Sequence, residues 1–171
     1  MRSCELIGNV VHTDESVNAP GGGGMSLRSS SASLEHCVVL DNDAITGGGL
    51  YLYDDVALVL TSSILAYNRR GNLMSEQSDF DGSGILWNDL YSPEGMENHN
   101  LSGLDPSNLT VEPGFLVYNA EGLPLDLHLS QGSPLVDGGD PEAVDLDGSR
   151  QDLGMYGGVG GAVGPGPRWL D

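Results

Sequence analysis

The stretch Gly47 to Asn68, GGGLYLYDDVALVLTSSILAYN, decides the fold, because it largely repeats the stretch before it, Gly21 to Asn42, GGGGMSLRSSSASLEHCVVLDN. The two closing asparagines lie 26 residues apart (68 − 42). Leu60 matches Leu34, and Ile64 and Leu65 match Val38 and Val39 at the same spacing. Upstream, Leu50 matches Met25 and Leu52 matches Leu27 at a spacing of 25 (50 − 25), so one extra residue is expected near Asp54 and Asp55. A third copy opens the chain: Cys4, Leu6, Ile7 and Asn9 match Cys37, Val39, Leu40 and Asn42 at a spacing of 33 (37 − 4). The surplus of seven residues (33 − 26) falls in the polar stretch Val10 to Pro20, with His12, Asp14 and Glu15. Self-similarity at such a period marks a solenoid, in which each unit buries its apolar face only against its neighbours.

Within each copy the apolar residues alternate in short runs: Met25 and Leu27, then Ala32 and Leu34, then Cys37 and Val39. A period of two in short runs indicates strands, and three runs per repeat indicate a three-sided coil. Asn42 and Asn68 are expected to stack at one corner, in the left-handed backbone region that asparagine tolerates. Cys4 and Cys37 fall on neighbouring coils with side chains pointing the same way, poor geometry for a bridge, so both read as small buried hydrophobes. Gly71 to Tyr91 reads as a further, degraded coil, with Ile85-Leu86-Trp87-Asn88 as one more strand-plus-asparagine ending. Residues 1–91 are thus read as coils, 92–158 as an irregular loop and a capping segment, and 159–171 as a Gly/Pro-rich tail.

The sequence has 26 glycines, a formal net charge of −19, and six basic residues, all arginine. Glycine at this level fits many tight turns. The negative charge repels a phosphate backbone, so nucleic acid and anionic membrane are poor partners, whereas divalent cations are compatible. No apolar run is long enough to span a membrane, and Met1 to Asn9 has no signal-peptide pattern. Because the chain opens within a coil, it reads as part of a longer protein whose targeting signal lies upstream, and the open first coil is a place for self-association.

These residues resemble the right-handed parallel β-helix repeats of secreted and surface bacterial proteins, pectate-lyase-like and polymorphic-outer-membrane-protein-like chains among them. The closing series is similar to the C-terminal segment common there: Glu112-Pro113-Gly114-Phe115, Leu127-His128-Leu129-Ser130-Gln131-Gly132-Ser133-Pro134, Asp137-Gly138-Gly139-Asp140-Pro141, Asp147-Gly148-Ser149-Arg150 and Asp152-Leu153-Gly154-Met155-Tyr156-Gly157-Gly158. The resemblance implies an all-β solenoid of about 25-residue coils, located outside the cell or on its surface. It implies a structural or binding module that contacts an extracellular polysaccharide or surface partner. The alternative it admits is the C-terminal part of a polysaccharide lyase or glycoside hydrolase with its active site mostly upstream, since the family holds both.

For chemistry, the acid-rich run Asp145-x-Asp147-Gly148-x-x-x-Asp152, with Asp140 upstream, is the candidate calcium site. Calcium takes six to eight oxygens, and a D-x-D-G turn offers two carboxylates at once. As side-chain caps of tight turns the same aspartates need fewer partners than an ion would. The four histidines share no metal-ligand spacing, and no Ser-His-Asp or Cys-His arrangement stands out, so no catalytic residue is assigned. Tyr51, Tyr53, Tyr67 and Trp87 form a sugar-stacking strip if they face outward.

Overall fold

The computed structural model describes residues 1–12, 21–93, 104–119 and 125–157, and these are all-β apart from one 3₁₀ turn at Gly82–Gly84. Val10 to His12 aside, the polar stretch before Gly21 lies outside the described residues, as does the segment 159–171. Ten short strands run in chain order as β1 Glu5–Ile7, β2 Met25–Arg28, β3 Ser31–Glu35, β4 Val38–Leu40, β5 Leu50–Tyr53, β6 Ala57–Thr61, β7 Ile64–Ala66, β8 Leu73–Ser75, β9 Ile85–Leu86 and β10 Asp89–Tyr91. They form three parallel sheets, β1-β4-β7-β10, β2-β5-β8 and β3-β6-β9, so each strand pairs with its counterpart in the next repeat. Two further strands, β11 Phe115–Val117 and β12 Asp126–Leu129, make an antiparallel pair in the tail.

The register follows the internal repeat. Leu34 pairs with Leu60, Met25 with Leu50, Val38 with Ile64 and Leu6 with Val39. The extra residue falls at the expected place, because Arg28 still pairs with Tyr53 but Ser31 pairs with Ala57. Each repeat turns through residues at positive φ that stack from layer to layer. One corner holds Ser3, His36, Ser62 and Trp87, the next Gly8, Asp41 and Tyr67, the third Ser29 and Asp54. The left-handed residue is therefore the one before each asparagine, not the asparagine itself. The bend comes first, and it aims the following side chain inward, where it can replace the backbone bonds lost at the corner.

That replacement forms a column. Asn9 Nδ2 donates to Asn42 Oδ1, Asn42 Nδ2 to Asn68 Oδ1, and Asn68 Nδ2 to Asn72 Oδ1, each at 2.9 Å. A second column starts from the backbone N–H of Cys37, which donates to Ser63 Oγ; Ser63 N donates to Asn88 Oδ1 and Asn88 N to Asn108 Oδ1. Asn88 thus continues the Cys37–Ser63 row, not the Asn42–Asn68 row that its local sequence indicates. The layering also runs one step past Tyr91, since Leu109 bridges Asp89 in parallel. Close approach of layers requires glycine: a Cβ at Gly49 would lie 2.2 Å from the carbonyl oxygen of Asn72.

Two apolar clusters result. The inner one gathers Leu34, Cys37, Val39, Leu50, Leu52, Leu60, Leu65, Leu73 and Ile85 between the three sheets. Cys37 is buried there and both cysteines are free thiols. The outer cluster joins Val38, Leu40, Ile64 and Ala66, on the far face of β4 and β7, to Leu127, Leu135 and Leu153 of the tail. The tail therefore lies along the face of the β1-β4-β7-β10 sheet. Residues Ser107 to Leu109 lie over β9 and β10 at the end of the stack, where Ser107 Oγ accepts from Trp87 N and Leu109 N donates to Asn88 O.

Candidate functional site

Between the corner row of β3, β6 and β9 and the tail there is an open cleft of about 330 Å³. Glu35 and Thr61 end β3 and β6, Ser62 and Trp87 occupy the left-handed corner, and Asp140, Ala143, Val144 and Gln151 come from the tail. Arg2 completes the wall and pairs with Glu35 at 3.1 Å. The strand ends place Glu35 and Thr61 one layer apart, because β3 and β6 are in parallel register. The floor is fixed by contacts between the two walls. Ser62 Oγ donates to Gln151 Oε1 at 3.0 Å, and Gly154 N donates to Ser62 O at 2.9 Å. Beside them His36 is fully buried, with Nδ1 3.1 Å from the Gly154 carbonyl oxygen. A carbonyl only accepts, so Nδ1 carries the proton. Burial, the largest influence, holds this imidazole below its usual pKa and keeps it neutral at pH 7.

The cleft offers an indole, a carboxamide, an ion-paired carboxylate, a second carboxylate and a hydroxyl. Sites of about this size with one aromatic surface and a few fixed polar groups take small polar ligands. The predicted aromatic strip is not available. Tyr51 is 3 % exposed and hydrogen-bonds Glu76. Tyr67 stacks on Tyr118 at 4.2 Å beneath the tail, and Tyr53 lies under the Arg28 guanidinium. Only Trp87 of the four lines the cleft.

The candidate calcium residues fall on successive turns of the tail. Asp140 Oδ1 accepts from Glu142 N, Asp147 Oδ1 from Ser149 N and Oγ, Asp145 Oδ2 from Asp152 N, and Asp152 Oδ1 from Asp137 N at 2.7 Å. Burial pushes the Asp152 carboxyl up, and the negative charges of Asp145, Asp137 and Asp147 push it further. Arg150 binds the Gly139 carbonyl through Nε and Nη2 rather than an aspartate. Among the described residues no three His, Cys, Asp or Glu side chains come together in a way that would hold an ion. No helix among them is long and apolar enough to cross a membrane.

Compared with known proteins, the chain matches no family model, no curated protein and no solved structure.

Arginines and acids pair across layers elsewhere too: Arg28 Nε meets Asp54 at 2.7 Å, and Arg69 and Arg70 both reach Asp43. These pairs, each with a largely exposed arginine, contribute roughly 0–1 kcal/mol each. Two buried polar side chains, His36 and Asp89, belong to no motif that the sequence displays. For Asp89 a signal is nonetheless present: it sits in the apolar run of β10 where the earlier repeats carry Val38 and Ile64.

Proposed function

We propose that the chain forms a right-handed parallel β-helix that serves as a structural and glycan-contacting module of an exported surface protein. The observation that carries the reading is the cleft of Glu35, Thr61, Trp87, Asp140 and Gln151, where the repeat corner meets the tail. One aromatic face with fixed polar groups around it suits a sugar ring, whose axial hydrogens stack while its hydroxyls bond. The net charge of −19 disfavours polyuronates and favours neutral or amino-sugar chains. The carbohydrate-active alternative draws on the same place, since Glu35 and Asp140 line one cleft.

The test is calorimetric titration with neutral and amino-sugar oligosaccharides, with oligouronides as a contrast. Binding of a neutral or amino-sugar oligomer is expected, and Trp87→Asn, which suits the positive φ of that corner, should weaken it at least tenfold, about 1.4 kcal/mol. Cleavage of a bound oligomer would favour the enzyme. Silence across the panel would leave a purely structural module.

Calcium is tested separately. The tail turns are already closed by backbone amides, so melting in excess calcium and in excess chelator is expected to coincide. An ion at 100 times its dissociation constant would add about 2.7 kcal/mol. A rise of that kind, lost in Asp145→Asn/Asp147→Asn, would place an ion in the tail.

A further inference from the structure

Asp89 opens β10 at the position where β4 and β7 present Val38 and Ile64 to the outer cluster. It is fully buried. One carboxyl oxygen accepts from the backbone N–H of Val111 at 2.9 Å; the other is buried with no partner. A carboxylate prefers two to four hydrogen bonds, and an unpaired buried charge is costly. The elements against it are apolar at their points of contact: Ile64 on β7, and Leu109 and Val111 in the segment that leads into the tail. Burial and the Val111 amide are the influences on its ionisation, and no charged side chain adds to them.

We propose that Asp89 is a proton-operated latch for the segment covering the outer face of the β1-β4-β7-β10 sheet: protonated, it lets Val111 and the tail seat on the sheet, and ionised, it loosens them. The protonated acid is neutral, and Oδ1 still receives the Val111 amide. The ionised acid leaves a full charge in the outer cluster, relieved only if the cover opens and admits water. Burial raises this carboxyl to about 7, against the opposing pull of the Val111 amide. The folded value lies above the unfolded one, so closure is strongest below the unfolded pKa of about 4, weakens as pH rises from there, and has lost this contribution once pH passes about 7.

Other ionisable groups meet the tail. His36 contacts Gly154, Asp41 accepts from Tyr118, and His128 stacks on Tyr156 beside Asp126. The comparison with Asp89→Asn separates them, because the amide keeps the Val111 acceptor and removes the charge. The experiment is amide hydrogen exchange between pH 5.5 and 8.5, corrected for intrinsic rates, with the Asp89 carboxyl carbon followed by NMR. Between pH 5.5 and about 7, protection of Val111 and of residues 125–157 is expected to fall about tenfold per pH unit in the wild type and to level off above that, while Asp89→Asn stays flat and the amides of β3 and β6 hold in both. An Asp89 carboxyl that titrates near 4, or identical pH profiles in the two proteins, overturns the proposal. If the variant does not fold, the carboxyl titration of the wild type decides alone.

Discussion

Asn68→Ala is expected to cost about 4 kcal/mol or more in urea unfolding, with an unchanged denaturant slope. Asn68 is buried and its side chain makes four bonds. Oδ1 accepts from Asn42 N at 3.0 Å and from Asn42 Nδ2 at 2.9 Å. Nδ2 donates to Val39 O at 2.8 Å and to Asn72 Oδ1 at 2.9 Å. Alanine leaves Asn42 N and Asn72 Oδ1 without these partners in the interior, at about 1–3 kcal/mol each, and takes one bond each from Asn42 Nδ2 and Val39 O. A domain is stable by only about 5–15 kcal/mol, so the change removes a large part of the whole.

The comparison within the column makes the prediction specific. Asn9 stands at the end of the column, and its side chain contributes one donor, Nδ2 to Asn42 Oδ1, an oxygen that also keeps the Asn9 backbone N–H. That oxygen keeps its place with water available, so Asn9→Ala is expected to cost about 1 kcal/mol or less. If Asn9→Ala and Asn68→Ala destabilise equally, the column is not the device that replaces backbone bonding at the corner. A neighbouring test acts on the backbone itself. Gly49→Ala brings a Cβ to 2.2 Å from Asn72 O, so the layers must separate, at about 1–3 kcal/mol.

The spacing of 26 and 25 residues, the extra residue by Asp54, and the inward set Met25, Leu27, Leu34, Cys37 and Val39 were all legible, because a parallel ladder stacks equal residues and so writes its register into the chain. The columns were legible only in part. Asn42 and Asn68 align with their flanks, but Asn88 follows an irregular repeat in which Leu73 pairs 23 residues back and Ile85 pairs 25 back. A local match of strand plus asparagine then points to the wrong corner. The left-handed residues His36, Asp41, Ser62, Tyr67 and Trp87 share no residue type; the stacked neighbours impose that conformation, and propensity does not. The cleft was least legible, since Trp87 and Gln151 come together only when the tail docks. A hint of docking was there nonetheless. Val38-Val39-Leu40 and Ile64-Leu65-Ala66 are apolar on both faces, whereas Ser31–Glu35 alternates, and a strand apolar on both faces is covered on both.

Leu153→Ala follows from that cover and is expected to open the tail selectively. Leu153 is 2 % exposed, its N–H donates to Leu135 O at 3.2 Å, and it packs with Leu135, Val38 and Ile64 in the outer cluster. Truncating a leucine in such a place costs about 2–5 kcal/mol. The adjacent Gly154 allows little readjustment: it holds φ 86°, and a Cβ there would meet Ile64 Cδ1 at 2.7 Å. The lost packing lies between the tail and the sheet, while the inner cluster of Val39, Leu60 and Leu65 keeps its own contacts. Local opening draws only on the contacts it breaks. Amide protection in residues 133–156 is therefore expected to fall roughly 30-fold to several thousandfold, with the amides of β4 and β7 little changed. Leu65→Ala, inside the inner cluster, should lower both regions together. Equal losses in the two regions for Leu153→Ala would show that sheet and tail open as one unit, and the outer cluster would then be a second core rather than a seam.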